Sequence, residues 1–244
     1  MTTLTQNKIT EKILANNPGY GSFAELRQQA FTILEEKGLP APKDEEYKFT
    51  GISKKLEQTL GSFTSAQPIS LNPDMVKARI WEDFKGEFLV FNNGIFDAQL
   101  SRFSSDAIQV NYLTTSSPTL LGSIAKVEKD PFIALNTVYF EDGIHIQVGR
   151  AKKIESPILL LFFNQAIEGQ VISPRVLIEV GDNSEISFLE TSISIGEDAY
   201  FCNAVTEIKV GHNSHVQYDR LQNESDQALV VNNFETAIHR DANF

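Results

Sequence analysis

The chain has 244 residues, 41% of them hydrophobic and 22% charged, which is the make-up of a folded globular protein long enough for one large β domain or two smaller units. Thirty-two acidic residues against 21 basic ones leave a formal charge of -11, a field that repels nucleic-acid phosphates and anionic membrane surfaces. Met1 to Lys8 lacks the cationic-then-apolar pattern of a secretory signal, the apolar run Ile158 to Phe163 is far below the ~20 residues of a membrane helix, and a single cysteine, Cys202, fits a reducing compartment, so the expected setting is the cytoplasm.

In chain order, Ile9, Ile13 and Leu14 share one face of an expected helix from Thr5 to Asn16, which Pro18-Gly19 breaks. Ser22 followed by Glu25 has the spacing of a capping box. Phe23, Leu26, Ala30, Ile33 and Leu34 then recur at helical intervals up to Gly38 and Pro40, predicting a helix from Phe23 to Lys37. Residues 1–60 thus read as a small N-terminal helical domain. Gly61 to Pro73 is rich in Ser, Thr, Gln and Pro, and with a short amphipathic helix from Asp74 to Phe84 it makes 61–85 a linker. Strands follow. Glu87 to Phe91 and Ile95 to Leu100 flank Asn92-Asn93-Gly94, which suits the positive φ angles of a hairpin turn, and residues 86–244 read as β-rich throughout.

The most informative feature is an internal repeat. Ile178-Glu-Val180-Gly181-Asp-Asn-Ser-Glu-Ile186 matches Ile208-Lys-Val210-Gly211-His-Asn-Ser-His-Val216, and a weaker copy runs from Ile146 through Gly149 to Ile154. Gly181 and Gly211 stand 30 residues apart, and Gly149 and Gly181 stand 32 apart. In each copy, apolar residues two apart face one side of a strand, glycine makes a corner, and a new strand follows a polar turn. Stacking such units buries a continuous core, which predicts a parallel β-helix. An antiparallel sandwich is the rival, but it seldom repeats a signature with its Gly and Asn-Ser retained.

Two stretches resemble the SufB/SufD family of iron-sulfur cluster assembly proteins. Gly38-Leu39-Pro40 with Asp44-Glu45-Glu46-Tyr47-Lys48-Phe49-Thr50 is similar to the segment closing that family's N-terminal helical region, with Tyr47 in place of the usual Trp and Phe49 in place of the usual Tyr. Asp130-Pro131-Phe132-Ile133-Ala134-Leu135-Asn136-Thr137, followed by Phe140-Glu141-Asp142-Gly143, looks like the family's entry into its β-helix. The resemblance implies a right-handed parallel β-helix behind a helical domain. It further implies a SufD-like, non-enzymatic scaffold subunit that pairs with a SufB-like subunit and engages a SufC-like ABC ATPase. An iron-sulfur cluster would visit only the complete complex, transiently. The family's partner-binding helices lie towards its C-terminus, so the chain is expected to stop short of them at Phe244, with a homodimer open to the isolated protein.

Read for chemistry, the residues are sparse. Cys202 is the only thiolate candidate, with a buried structural cysteine the expectation. His212 and His215 look superficially like a ligand pair but lack a third ligand in sequence, and read as exposed turn residues. His145 should face away from the core, and His239 has no context. Asp182, Glu185, Glu190 and Glu207 could in principle serve a carbohydrate-active β-helix enzyme, a lyase or hydrolase, which is the alternative function; a solvated acidic face is the expectation. Asp44, Glu45 and Glu46 suit a helix or turn start. No phosphate-binding loop or nucleophile elbow occurs. No catalytic or metal-ligating set is assigned, and no residue is assigned to a cofactor.

Overall fold

The computed structural model describes residues 8–41, 44–60, 63–103, 106, 108–165 and 170–244. Helix α1 (Lys8–Ala15) buries Ile9 and Ile13, and α2 (Ala24–Lys37) buries Ala30 and Leu34. The start expected for α1, Thr5 to Asn7, lies outside the described residues. A 3-10 turn (Glu45–Tyr47) leads to α3 (Ile52–Thr59), which buries Leu56.

The capping box at Ser22 does not form. The residue before α2 is Phe23, at φ 61, with no side-chain cap. Packing accounts for the difference: the Phe23 ring lies 5.9 Å from that of Phe140, and placing it there turns the chain into the left-handed region where Ser22 would have capped. Strand β1 (Thr64–Ser65) lies inside the stretch read as linker. Helix α4 (Pro73–Lys77) is capped by the Asn72 side chain, which accepts from Met75 N at 3.0 Å, but it ends well before Phe84. Beyond it Ile80 and Phe84 join Val76 in one apolar cluster, with the rings of Trp81 and Phe84 4.5 Å apart, and a turn rather than a helix brings them there.

Strands β2 (Phe88–Asn92) and β3 (Ile95–Arg102) form the expected hairpin, with Asn93 at φ 49 and Gly94 at φ 82. Strand β4 (Ile108–Tyr112) runs into the short α5 (Leu113–Ser116), and α6 (Pro131–Tyr139) follows. The chain then passes back and forth between two sheets through β5 (Ile144–Val148), β6 (Ile158–Asn164), β7 (Gln170–Ile172), β8 (Arg175–Val180), β9 (Glu185–Ser194), β10 (Phe201–Val210), β11 (His215–Asn223) and β12 (Leu229–Ile238).

In the first sheet β4, β5, β8, β10 and β12 lie side by side, with β7 extending the line of β8 against β10 and β1 pairing with β7. The second sheet runs β3, β2, β6, β9, β11. Every successive pair from β5 and β6 onward is parallel, and the repeat is the register: Ile146 pairs with Ile178 and Ile178 with Ile208, while Ile186 pairs with Val216. Antiparallel β3 and β4 close one end of the stack. This is a parallel β-helix behind an N-terminal helical region.

Between the sheets lie Ile144, Ile146, Val148, Val176, Ile178, Val180, Ile208 and Val210, facing Leu160, Phe162, Ile186 and Phe188. Phe91 stacks on Phe162 at 4.1 Å, one coil to the next. The outer face of the first sheet is covered by α6 and the helical region, which share a second core through Phe132, Leu135, Phe201 and Val205. Among the described residues no helix is long and apolar enough to cross a membrane.

The repeated Gly-x-Asn-Ser corner has a division of labour that the sequence pattern assigned to glycine alone. Glycine is needed for closeness: a Cβ on Gly211 would sit 2.7 Å from Val180 O, and one on Gly181 2.8 Å from Arg150 N. The left-handed turn falls two residues later, on Asn183 (φ 59) and Asn213 (φ 54), a conformation Asn tolerates better than most residues. Serine then ties coil to coil: Ser184 Oγ donates to Gly149 O and Ser214 Oγ to Gly181 O, each at 2.8 Å. The asparagines add a rung, Asn213 Nδ2 donating to Asn183 Oδ1 at 3.0 Å.

Candidate functional site

The chemistry-bearing residues gather in three places: between α6 and the first sheet, inside the β-helix, and along one row of corners. Helix α6 begins with Asp130, whose side chain accepts from Phe132 N at 2.7 Å, and with Pro131 in the first turn, where its missing N–H costs nothing. The helix is apolar on all sides and buried throughout, so its sequence has no amphipathic stripe; the Asp-Pro start was the available signal for it. Its one amide side chain, Asn136, donates to Pro174 O at 2.8 Å and Asn203 O at 2.7 Å, and Asn203 Nδ2 donates back to Phe132 O. These bonds fasten the helix to the strand backbones beneath it.

Glu207, expected on a solvated face, is fully buried there. Arg175 Nη2 donates to Glu207 Oε1 at 2.6 Å, with neither side chain exposed. Arg175 Nη1 also donates to Asn136 Oδ1 and Thr137 Oγ1, both at 3.1 Å. The carboxylate accepts from the backbone N–H groups of Gly122, Ile124 and Ala125, so its charge is met on several sides. Glu207 sits on the outward-facing side of β10, but α6 and the 122–125 segment cover that side, which alternation along one strand does not reveal.

Arg27 of α2 caps the far end of α6, donating to Val138 O at 3.0 Å and Phe140 O at 2.6 Å with its guanidinium over the Phe140 ring. Burial holds its pKa below the ordinary arginine value, with Asp142 and Glu141 opposing. At the helix's start, the Tyr47 hydroxyl donates to Asp130 Oδ2 at 2.5 Å. Thus Asp44-Glu45-Glu46-Tyr47 forms the turn expected of it and anchors to the second motif; Asp44 Oδ2 accepts from Ala41 N.

Glu190, also expected on the surface, points into the β-helix and is 4% exposed. Arg220 Nε lies 2.8 Å from its Oε1 and Tyr218 donates to its Oε2 at 2.5 Å. The neighbouring Cys202 is buried, in a cluster with Ala66, Ile172 and Tyr200. Burial first, then the charges of Glu224 and Glu190, push its thiol well above the ordinary value, against a smaller opposing effect of Arg220. It is therefore held as a neutral thiol, which is a poor nucleophile and metal ligand.

His145 does face out of the β-helix interior, yet it is only 3% exposed: its Nε2 lies 2.8 Å from Glu179 Oε1 and its Nδ1 3.3 Å from Ser116 Oγ. Glu185 is exposed and pairs with Lys153 at 2.9 Å, while Asp182 Oδ1 accepts from His212 N at 2.8 Å. These two acids therefore have separate structural partners. His212 and His215 lie at the same corner, but the imidazole in ring contact with His212 is that of His239, one coil on. Among the described residues no group of three or more His, Cys, Asp or Glu side chains could hold a metal ion.

Comparison with known proteins matches two family models in tandem. The SufBD protein N-terminal region matches residues 11–160, and the SufBD core domain of SUF-system FeS cluster assembly matches residues 162–244. The chain belongs to the SufBD family. It is 27% identical, over 84% of its length, to an iron-sulfur cluster assembly SufBD family protein of Synechocystis, covering 48% of that relative. It is 23% identical to the iron-sulfur cluster assembly protein SufD of Escherichia coli K12 across 81% of this chain and 46% of that one. The chloroplastic protein ABCI7 of Arabidopsis thaliana is 30% identical across 82% of this chain and 44% of its own. The chain thus spans about half the length of the curated SufBD relatives it matches.

Proposed function

We propose that this SufBD chain is a SufD-like scaffold subunit of the SUF machinery, pairing with a SufB-like subunit and serving a SufC-like ABC ATPase in the cytoplasm. The observation that carries the reading is the match in order and over most of the chain to the family whose named relative is SufD of Escherichia coli. The use of its polar residues supports a scaffold role. Glu207 and Arg175 join sheet to helix, Glu190 and Arg220 join coil to coil, and Cys202 is a buried neutral thiol. Each of these groups is committed to holding the stack together, as a rigid platform requires. An iron-sulfur cluster is cargo of the complete complex in this reading, and the chain itself carries no catalytic step.

The test is anaerobic affinity purification of the complete native protein from its source, with mass spectrometry of what comes with it. An ABC-type ATPase and a related β-helix subunit in near-equal amounts are the expected result. Recovery of the protein alone, or with polysaccharide-processing components, would overturn the reading.

A further inference from the structure

Parallel stacking brings together two imidazoles that stand far apart in sequence. His212 follows Gly211 at the corner after β10, and His239 follows the last residue of β12, which is the next strand beside β10. Their ring centroids are 4.8 Å apart with planes at 70°. Both side chains are exposed, so the contact buries little and the ring nitrogens can be reached from solvent.

We propose that His212 and His239 form a two-imidazole binding site for a divalent transition-metal ion of the zinc and copper class. The geometry fits the ion. An imidazole nitrogen binds zinc at about 2.0–2.1 Å, and the ring centroid lies roughly 1 Å beyond, so two rings at adjacent positions of a tetrahedral ion have centroids about 5 Å apart. The observed separation meets that requirement without backbone movement. Side-chain rotation is all that is needed to aim the nitrogens.

The backbone carrying the two rings is held on both sides. His239 N donates to Val210 O at 3.0 Å, His212 N donates to Asp182 Oδ1 at 2.8 Å, and Asn183 N donates to His212 O at 2.9 Å. The nearby charges also favour a cation: the Asp182 carboxylate lies at the corner itself, and the guanidinium of Arg240 is engaged by Asp241 Oδ2 at 3.1 Å. No third His, Cys, Asp or Glu among the described residues completes the set. The remaining positions go to water, and imidazole donors with open positions favour Cu²⁺ over Zn²⁺. The proposal uses only this chain's corner geometry and stands apart from the scaffold reading above.

The test is titration of the chain with Cu²⁺ and with Zn²⁺ by calorimetry in a non-chelating buffer, with electron paramagnetic resonance of the copper form. One equivalent of Cu²⁺ should bind with hyperfine coupling to two nitrogens. His212→Asn and His239→Asn should each weaken binding about tenfold or more, while His215→Asn stays within about twofold. Because all three positions are on the surface, unchanged thermal melts will separate loss of a ligand from loss of the fold. Absence of binding, or binding that survives both His212→Asn and His239→Asn, or that falls equally with His215→Asn, overturns the proposal.

Discussion

Arg175 and Glu207 lie on neighbouring strands of the first sheet and meet at 2.6 Å with both side chains wholly shielded from water. Each also reaches a different part of the protein: Arg175 holds Asn136 and Thr137 of α6, and Glu207 holds the amides of the 122–125 segment. A buried ion pair is costly to desolvate, and it is tolerated here because further hydrogen bonds meet both ions. The β-helix and the helical region are joined through this pair as well as through apolar packing.

Removing one partner leaves the other charge buried and unpaired. Arg175→Met and Glu207→Leu should each lower the unfolding free energy by ~3–5 kcal/mol, and the double variant should cost less than the two together. Urea denaturation measures all three; additive losses would show that the two residues act independently.

Tyr47 connects the two stretches that carry the family likeness, through its bond to Asp130. Burial, with the Asp130 carboxylate adding to it, raises its phenol above the ordinary tyrosine value. Tyr47→Phe should cost about 1–2 kcal/mol, as expected for a hydrogen bond to a charged acceptor. Tyr47→Trp should recover part of that, since the indole N–H can donate. A Phe variant as stable as the parent in urea would make the bond dispensable.

At the corners the roles of glycine and asparagine can be separated. Gly211→Ala places a methyl against backbone and should cost about 1–3 kcal/mol. Asn213→Ala should cost about 1 kcal/mol because its left-handed φ of 54 suits alanine poorly, while Asn213→Gly should retain most of the stability. Melting temperatures would rank the three; equal losses at Asn213 for Ala and Gly would mean that the side-chain bond to Asn183 matters more than the backbone.

Cys202 makes stability fall with alkaline pH. Its thiol is raised in the folded state, so the folded chain keeps its proton where the unfolded chain has lost it. The contribution is therefore complete below the ordinary thiol range and declines as pH rises through it. Tyr218, raised by burial and then by Glu190, acts in the same sense at higher pH. Cys202→Ser should flatten the first part of the decline in denaturation midpoints measured across alkaline pH. Rapid alkylation of native Cys202 at neutral pH would contradict the assignment of a buried neutral thiol.

Much of the β-helix was legible because its signals are local and repeated. Alternating Ile and Val, a corner glycine and Asn-Ser recur at about one coil length, and the observed register from Ile146 to Ile178 to Ile208 is that recurrence. The hairpin at Asn93-Gly94 was readable for the same reason, since positive φ is a property of the turn residues themselves. Helix α6 was not, because a helix buried on every side shows no periodicity.

The sequence by itself determined the class of fold, the coil length, the corner chemistry and the family likeness, all of which depend on residue type and spacing along the chain. Only the tertiary structure decided which acids are solvated. Glu185 stays at the surface, while Glu190 and Glu207 are paired inside with Arg220 and Arg175. It likewise set His239, rather than His215, beside His212. The physical reason is that a charge's environment is made by groups on other coils and helices, and the energy of pairing depends on burial that no single strand's alternation encodes.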